Sequence, residues 1–155
     1  MDEQIKHYQN KLNFEIDSWD LNVALEAGEE VVVIDARSPE SYARGHIPGA
    51  VNIPHRTMST DTTAHLDKNA LVVTYCDGIG CNGSTKGALH MLRLGFRVKE
   101  LIGGLDWWRR DGHPIHEGET PTVAISMRMR VGRDNHALQR SALAPGRATP
   151  DCSTF

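Results

Sequence analysis

The sequence predicts an α/β domain in which helices flank a parallel β-sheet. Two unbroken apolar runs rich in β-branched residues, VVVID (31–35) and ALVVTYC (70–76), read as strands buried on both faces, the mark of a parallel sheet. Each is followed by a helix signal, and strand and helix signals alternate from there to about residue 111. Strands of this kind are joined by right-handed crossovers, and ligands bind beyond their carboxyl ends.

Taken in order, EQIKHYQNKLNF (3–14) spaces Ile5, Tyr8 and Leu12 at a helical period and reads as a short amphipathic helix laid against the domain. Asp17 or Ser18 caps a second helix running to about Ala27, which Gly28 closes. After the strand 31–35, Ser38 as cap, Pro39 at the first helical position and Gly45 as terminator define a short helix. Residues 50–53 give a short strand ended by Pro54, and residues 55–69 an exposed connection with a helical turn near residues 63–66. The strand 70–76 is followed by a glycine-rich loop, then by STKGALHMLRLGF, whose Ala88, Met91 and Leu92 are spaced for a helix packed on a sheet. RVKELIGG gives a further strand and LDWWRRDGH a last short helix.

Residues 1–16 are thus read as an N-terminal helical extension, 17–118 as the domain and 119–155 as a flexible tail lacking any sustained period. That tail carries Arg128, Arg130, Arg133, Arg140 and Arg147 against only Asp134 and Asp151, while the formal charge of the whole chain is −3. Such a balance gives no generic affinity for nucleic acid. No apolar run approaches the roughly 18 residues needed to span a bilayer, and the charged start lacks an apolar signal core, so a cytoplasmic location and no membrane partner are expected. Three cysteines, Cys76, Cys81 and Cys152, are too few for a secreted disulfide scaffold.

The chemistry is concentrated in TYCDGIGCNGSTKG (74–87). A structural zinc site needs a closer cysteine pair and a second pair elsewhere, so no metal is expected. A phosphate-binding P-loop needs lysine directly after its second glycine, whereas Ser84, Thr85 and Lys86 follow Gly83 in another order. What remains is a strand end, a turn of closely spaced N–H groups and a helix start, an anion-binding concavity. A cysteine at its lip is shifted toward the thiolate, and the same donors stabilise a persulfide. The alternative is that Cys76 is a small apolar residue at the end of a buried strand.

VVVIDARSPESYARGHIPGAVNIP resembles the D-x-R…E-x-Y-x-x-G-H-I-x-G-A-x-N-I-P hallmark of the rhodanese superfamily, and KELIGGLDWWRRDGHPI is similar to its second hallmark. The resemblance covers about residues 17–116. It implies a compact three-layer sandwich, a parallel β-sheet flanked by helices, and the activity of a single-domain sulfurtransferase. Such an enzyme moves a sulfane sulfur from a small anionic donor such as thiosulfate to a thiol or cyanide acceptor through a cysteine persulfide, with no cofactor. By the same resemblance Cys76 takes the catalytic position, and Asp77, Gly78, Ile79, Gly80, Cys81 and Asn82 form the sulfur-cradling loop.

The loop departs from the common pattern in being longer before Ser84 and in lacking a basic residue, carrying Asp77 and Cys81 instead. The missing cation counts against the phosphatase and arsenate-reductase branches. Cys81 has two readings: a resolving thiol that attacks sulfur on Cys76, or a spare small residue. Asp35, Arg37 and Glu40 are expected in a structural charge network, His46 bracing a turn, and Trp107 and Trp108 divided between core and pocket rim. Lys86 and Arg56 are the candidates for substrate electrostatics, and Asn82, Ser84 and Thr85 for helix caps. A non-catalytic module that binds a partner or senses oxidants is the competing class.

Overall fold

The computed structural model describes residues 1–119. In chain order they form α1 (Asp2–Phe14), β1 (Glu15–Ile16), α2 (Ser18–Glu26), β2 (Val31–Asp35), α3 (Pro39–Arg44), β3 (Val51–Asn52), a 3₁₀ turn (His55–Thr57), β4 (Leu71–Tyr75), α4 (Gly83–Arg93), β5 (Arg97–Leu101) and α5 (Gly104–Arg110). The five strands make one sheet in the order β1-β5-β4-β2-β3, every pairing parallel. The expected α/β class and flanked parallel sheet are what the chain adopts.

Strand alternation divides the core in two. Val33, Val73, Tyr75 and Leu101 point to one face and pack with Leu21 of α2, Tyr42 of α3, and Leu105 and Trp108 of α5. Ile34, Val72 and Val98 point to the other and pack with Met91 of α4, Phe96 and Met58. The caps fall where the side chains predict: Asp17 accepts from the Asp20 N–H at 2.8 Å and Ser38 from the Ser41 N–H at 3.3 Å.

Three local readings need correction. No residue of α1 is buried, and Ile5, Tyr8 and Leu12 are 51%, 56% and 76% exposed, so the helix is not laid against the domain along its apolar stripe. Three apolar residues among charged neighbours make a stripe too thin to require burial; the tie to the sheet lies at its end, where Lys99 Nζ donates to Leu12 O at 3.2 Å. The stretch that follows contains β1, unforeseen because two residues carry no period, and it pairs with β5. A 3₁₀ turn at His55–Thr57, within the connection, was likewise unforeseen. Near residues 63–66 the expected turn is present, closed by Leu66 N–H on Thr63 O at 3.0 Å, while Thr62 Oγ1 bonds Thr57 O and Thr63 Oγ1 bonds Ser59 O, local competition that disfavours a longer helix. The tail from residue 120 and Cys152 lie outside the described residues. Among the described residues no helix is long and apolar enough to cross a membrane.

A buried polar network closes the C-terminal edge of the sheet. Asp35 is fully buried, and its carboxylate accepts Arg37 Nη2 at 2.7 Å, Arg37 Nε at 3.0 Å and the Tyr75 hydroxyl at 2.7 Å. Arg37 Nη2 also donates to Gly45 O at 2.6 Å, and the Tyr75 hydroxyl accepts the Ile47 N–H at 3.1 Å. Burial works against the Arg37 charge, but the hydrogen bonds and charge of Asp35, with a further bond to Asp77, hold the guanidinium above its ordinary value. Burial and the Asp35 carboxylate push the Tyr75 phenol up, so it stays a donor. Glu40 takes no part in this network: it is exposed, and its carboxyl is lowered by its own backbone N–H and Ser38.

Replacing Tyr75 by Phe removes the donor to Asp35 and the acceptor for Ile47 while keeping the ring. Unfolding in urea is expected to show a loss of about 1–3 kcal/mol; an unchanged midpoint would show that the network does not brace the sheet edge.

Candidate active site

Because side chains alternate along β4, Tyr75 enters the Asp35 network on one face and Cys76 emerges toward α4 on the other. Cys76 is 4% exposed. Thr74 Oγ1 ties the strand to α4 by donating to Ser84 O at 3.0 Å. From the opposite side, the start of α5 clasps the loop backbone: Leu105 N–H donates to Cys76 O at 2.9 Å and Asp106 N–H to Asp77 O at 2.8 Å. The approach is so close that a side chain at Gly104, whose φ is +56°, would run into the Cys76 carbonyl oxygen.

The loop Asp77–Asn82 turns back on itself, with Cys81 N–H bonding Gly78 O at 3.1 Å, and α4 starts at Gly83. The turn carries Cys81 to Cys76, and the two are joined by a disulfide with Cα atoms 6.2 Å apart. Among the described residues the N–H directed at a sulfur is that of Gly83, 3.4 Å from Cys81 Sγ. Gly83 is buried where three groups converge: a Cβ there would lie 3.1 Å from Cys76 Sγ, 3.4 Å from Cys81 Sγ and 3.5 Å from His55 Cδ2. The residues named as a sulfur cradle are therefore together at one end of the sheet, with Cys81 against Cys76 rather than pointing away.

His55 was not singled out in the sequence, since a lone histidine after N-I-P carries no signal; the turn after β3 brings it to Gly83, against which both sulfurs also lie. Its imidazole is held below the ordinary value of 6.5, first by burial and then by the charges of Lys86, Arg56 and His90. These cations stand on the α4 side, outside the loop. Within the loop, Asp77 pairs with Arg37 Nη1 at 3.0 Å, which offsets its charge and joins the loop to the buried network. An open groove of about 600 Å³ runs beside the loop, lined by Asp77 to Cys81, Asp106, Trp107 and Arg110.

The remaining candidates divide. Trp108 is buried in the core and Trp107 lines the groove, as expected. His46 braces a turn, its Nδ1 2.9 Å from Tyr42 O and its backbone paired with His116. Asn82 occupies the N-cap of α4 without a side-chain bond. Ser84 and Thr85 are not caps; both hydroxyls donate to Glu100 Oε1 at 2.7 Å, because β5 presents that carboxylate to the first turn of α4.

The family model for the rhodanese-like domain matches residues 20–111. Thiosulfate sulfurtransferase GlpE of Pseudomonas entomophila is 38% identical over 94 residues, covering 59% of this chain and 79% of that protein. An HTH-type transcriptional regulator of Mycobacterium tuberculosis is 40% identical over 93 residues, covering 60% of this chain but only 40% of the regulator. The crystal structure of the BH2092 protein from Bacillus halodurans superimposes with a TM-score of 0.72 at 43% identity, covering 75% of this chain and 85% of that one.

Two outcomes follow from the geometry. Gly104→Ala is expected to lower stability by about 2 kcal/mol or more, and more than Gly112→Ala, whose φ of +79° is strained but whose surroundings are open; equal losses in urea would remove the close-approach argument. Lys86→Gln is expected to raise the His55 pKa, read by NMR titration. The folded-state value is the depressed one, so the stability this group contributes is full above its ordinary value and drains as the pH falls through the lower one. An unmoved His55 titration would place Lys86 too far away to act on the site.

Proposed function

The chain belongs to the rhodanese-like domain family, and from that membership we propose that it is a sulfurtransferase working through a persulfide on Cys76. The observation that carries the reading is the placement of Cys76 at the carboxyl end of β4, between the starts of α4 and α5 and beside a glycine-rich loop. Its likeness to a thiosulfate sulfurtransferase supports thiosulfate as donor.

Reduction of the Cys76–Cys81 bond opens the cycle. The Cys76 thiolate attacks the outer sulfur of thiosulfate, a sulfur–sulfur bond forms, and sulfite leaves with the electron pair of the broken bond. The helix terminus at Gly83 and the N–H groups of the loop hold the anionic persulfide. Lys86 and Arg56, whose charges are felt at His55, draw the anionic donor toward the buried sulfur in place of a basic loop residue. Cyanide or a thiolate then removes the outer sulfur and restores Cys76. Phosphoryl and arsenate chemistry lack a guanidinium in the loop to hold a tetrahedral oxyanion.

The disulfide favours a second reading, a redox-sensing module without turnover, and the match to a transcriptional regulator is compatible with it. Such a module forms the disulfide with peroxide yet makes no thiocyanate. For the sulfurtransferase, the reduced protein treated with thiosulfate is expected to gain the mass of one sulfur atom, lost on adding cyanide with release of thiocyanate. Cys76→Ser is expected to abolish both. A gain that survives in Cys76→Ser and disappears in Cys81→Ser would move the nucleophile to Cys81.

A further inference from the structure

Cys81 stands where an intramolecular attack on Cys76 needs it. The two sulfurs bond directly while the loop keeps its turn from Cys81 N–H to Gly78 O and its clasp by Leu105 and Asp106, so reaching Cys76 does not require unwinding the loop. The Gly83 N–H at the start of α4 donates to Cys81 Sγ at 3.4 Å, so a backbone donor already faces the sulfur that must attack. Cys76 is buried while Cys81 is half-exposed, which limits the approach of outside thiols to Cys76 and favours the thiol already in place.

We propose that this site is a dithiol centre that discharges its own persulfide as sulfide, a step that rests on the sulfurtransferase reading of Cys76. The Cys81 thiolate attacks Sγ of Cys76, the inner sulfur of the persulfide. The Cys76–Cys81 bond forms, the bond to the outer sulfur breaks, and that sulfur leaves with the electron pair and takes up the proton Cys81 gave. The outer sulfur is reduced from the sulfane level to sulfide, and the two thiol sulfurs are oxidised to the disulfide present in the structure. A small dithiol or a dithiol protein reduces that bond by exchange, becoming a disulfide itself. Thiosulfate and a dithiol are thereby converted to sulfite, sulfide and a disulfide. Cys81 is thus assigned a reaction, release of sulfide, rather than protection of Cys76 alone.

The test uses the full chain with Cys152→Ser, to remove the third thiol, and the same chain with Cys81→Ser added. Both are reduced, loaded with thiosulfate or inorganic polysulfide, desalted and left without acceptor, while intact mass and free sulfide are followed. The Cys81-containing protein is expected to lose the added sulfur and two hydrogens and to release one equivalent of sulfide. The persulfide of Cys81→Ser is expected to persist at least about tenfold longer and to yield thiocyanate when cyanide is added. Equal lifetimes overturn the proposal, as does retention of the sulfur mass without sulfide in the Cys81-containing protein, the mark of transfer to Cys81 by attack on the outer sulfur. Loading of both proteins with equal lifetimes leaves the sulfurtransferase reading standing; loading of neither, from either reagent, overturns that reading and this one together.

Discussion

The buried pair of Asp35 and Arg37 is the constraint on which the rest of this structure hangs. An isolated charge at Asp35, fully buried, would be costly, and removing one partner of such a pair commonly costs about 3–5 kcal/mol. Arg37 meets the carboxylate in two directions and then extends past it, to Gly45 O in the connection after α3 and to Asp77 in the loop after β4. Tyr75 brings β4 into the same cluster. One guanidinium therefore fixes the ends of two neighbouring strands, the connection after α3 and the first residue of the glycine-rich loop after β4.

Alternation along β4 then sends Tyr75 and Cys76 to opposite faces of the sheet. Tyr75 is consumed by the network on the face of α2, α3 and α5, and its successor Cys76 is turned to the face of α4. Two glycines make the space. Gly104 lets the start of α5 lie directly on the Cys76 carbonyl, and Gly83 lets the start of α4 lie directly on both sulfurs. Cys76 is thus enclosed by backbone from both sides, its carbonyl against the start of α5 and its sulfur against the start of α4.

The charges around the loop are sorted in the same way. Asp77 is paired with Arg37, while Lys86 and Arg56 act from α4 and the 3₁₀ turn on the side where His55 lies. The loop itself carries no basic residue, and the cations near it stand on its neighbours. Cys81 sits between these halves and links them chemically, since its sulfur meets both Cys76 and the first N–H of α4.

The sequence by itself determined the layered α/β fold, the order of its principal strands and helices, and the gathering of the loop 77–82 at a strand end. Apolar runs, caps and glycines are local signals, and a parallel sheet converts them into a fixed arrangement. The two hallmark motifs identified the family for the same reason, being long and continuous in the chain. Only the tertiary structure decided the rest. That Ser84 and Thr85 bond Glu100 rather than cap α4, that Arg37 pairs with Asp77, that His55 packs at Gly83, and that Cys81 meets Cys76 depend on where strands and turns remote in sequence come to lie. The exposure of the apolar stripe on α1 belongs with them. A period shows which face of a helix is apolar, and only packing decides whether another surface comes to cover it.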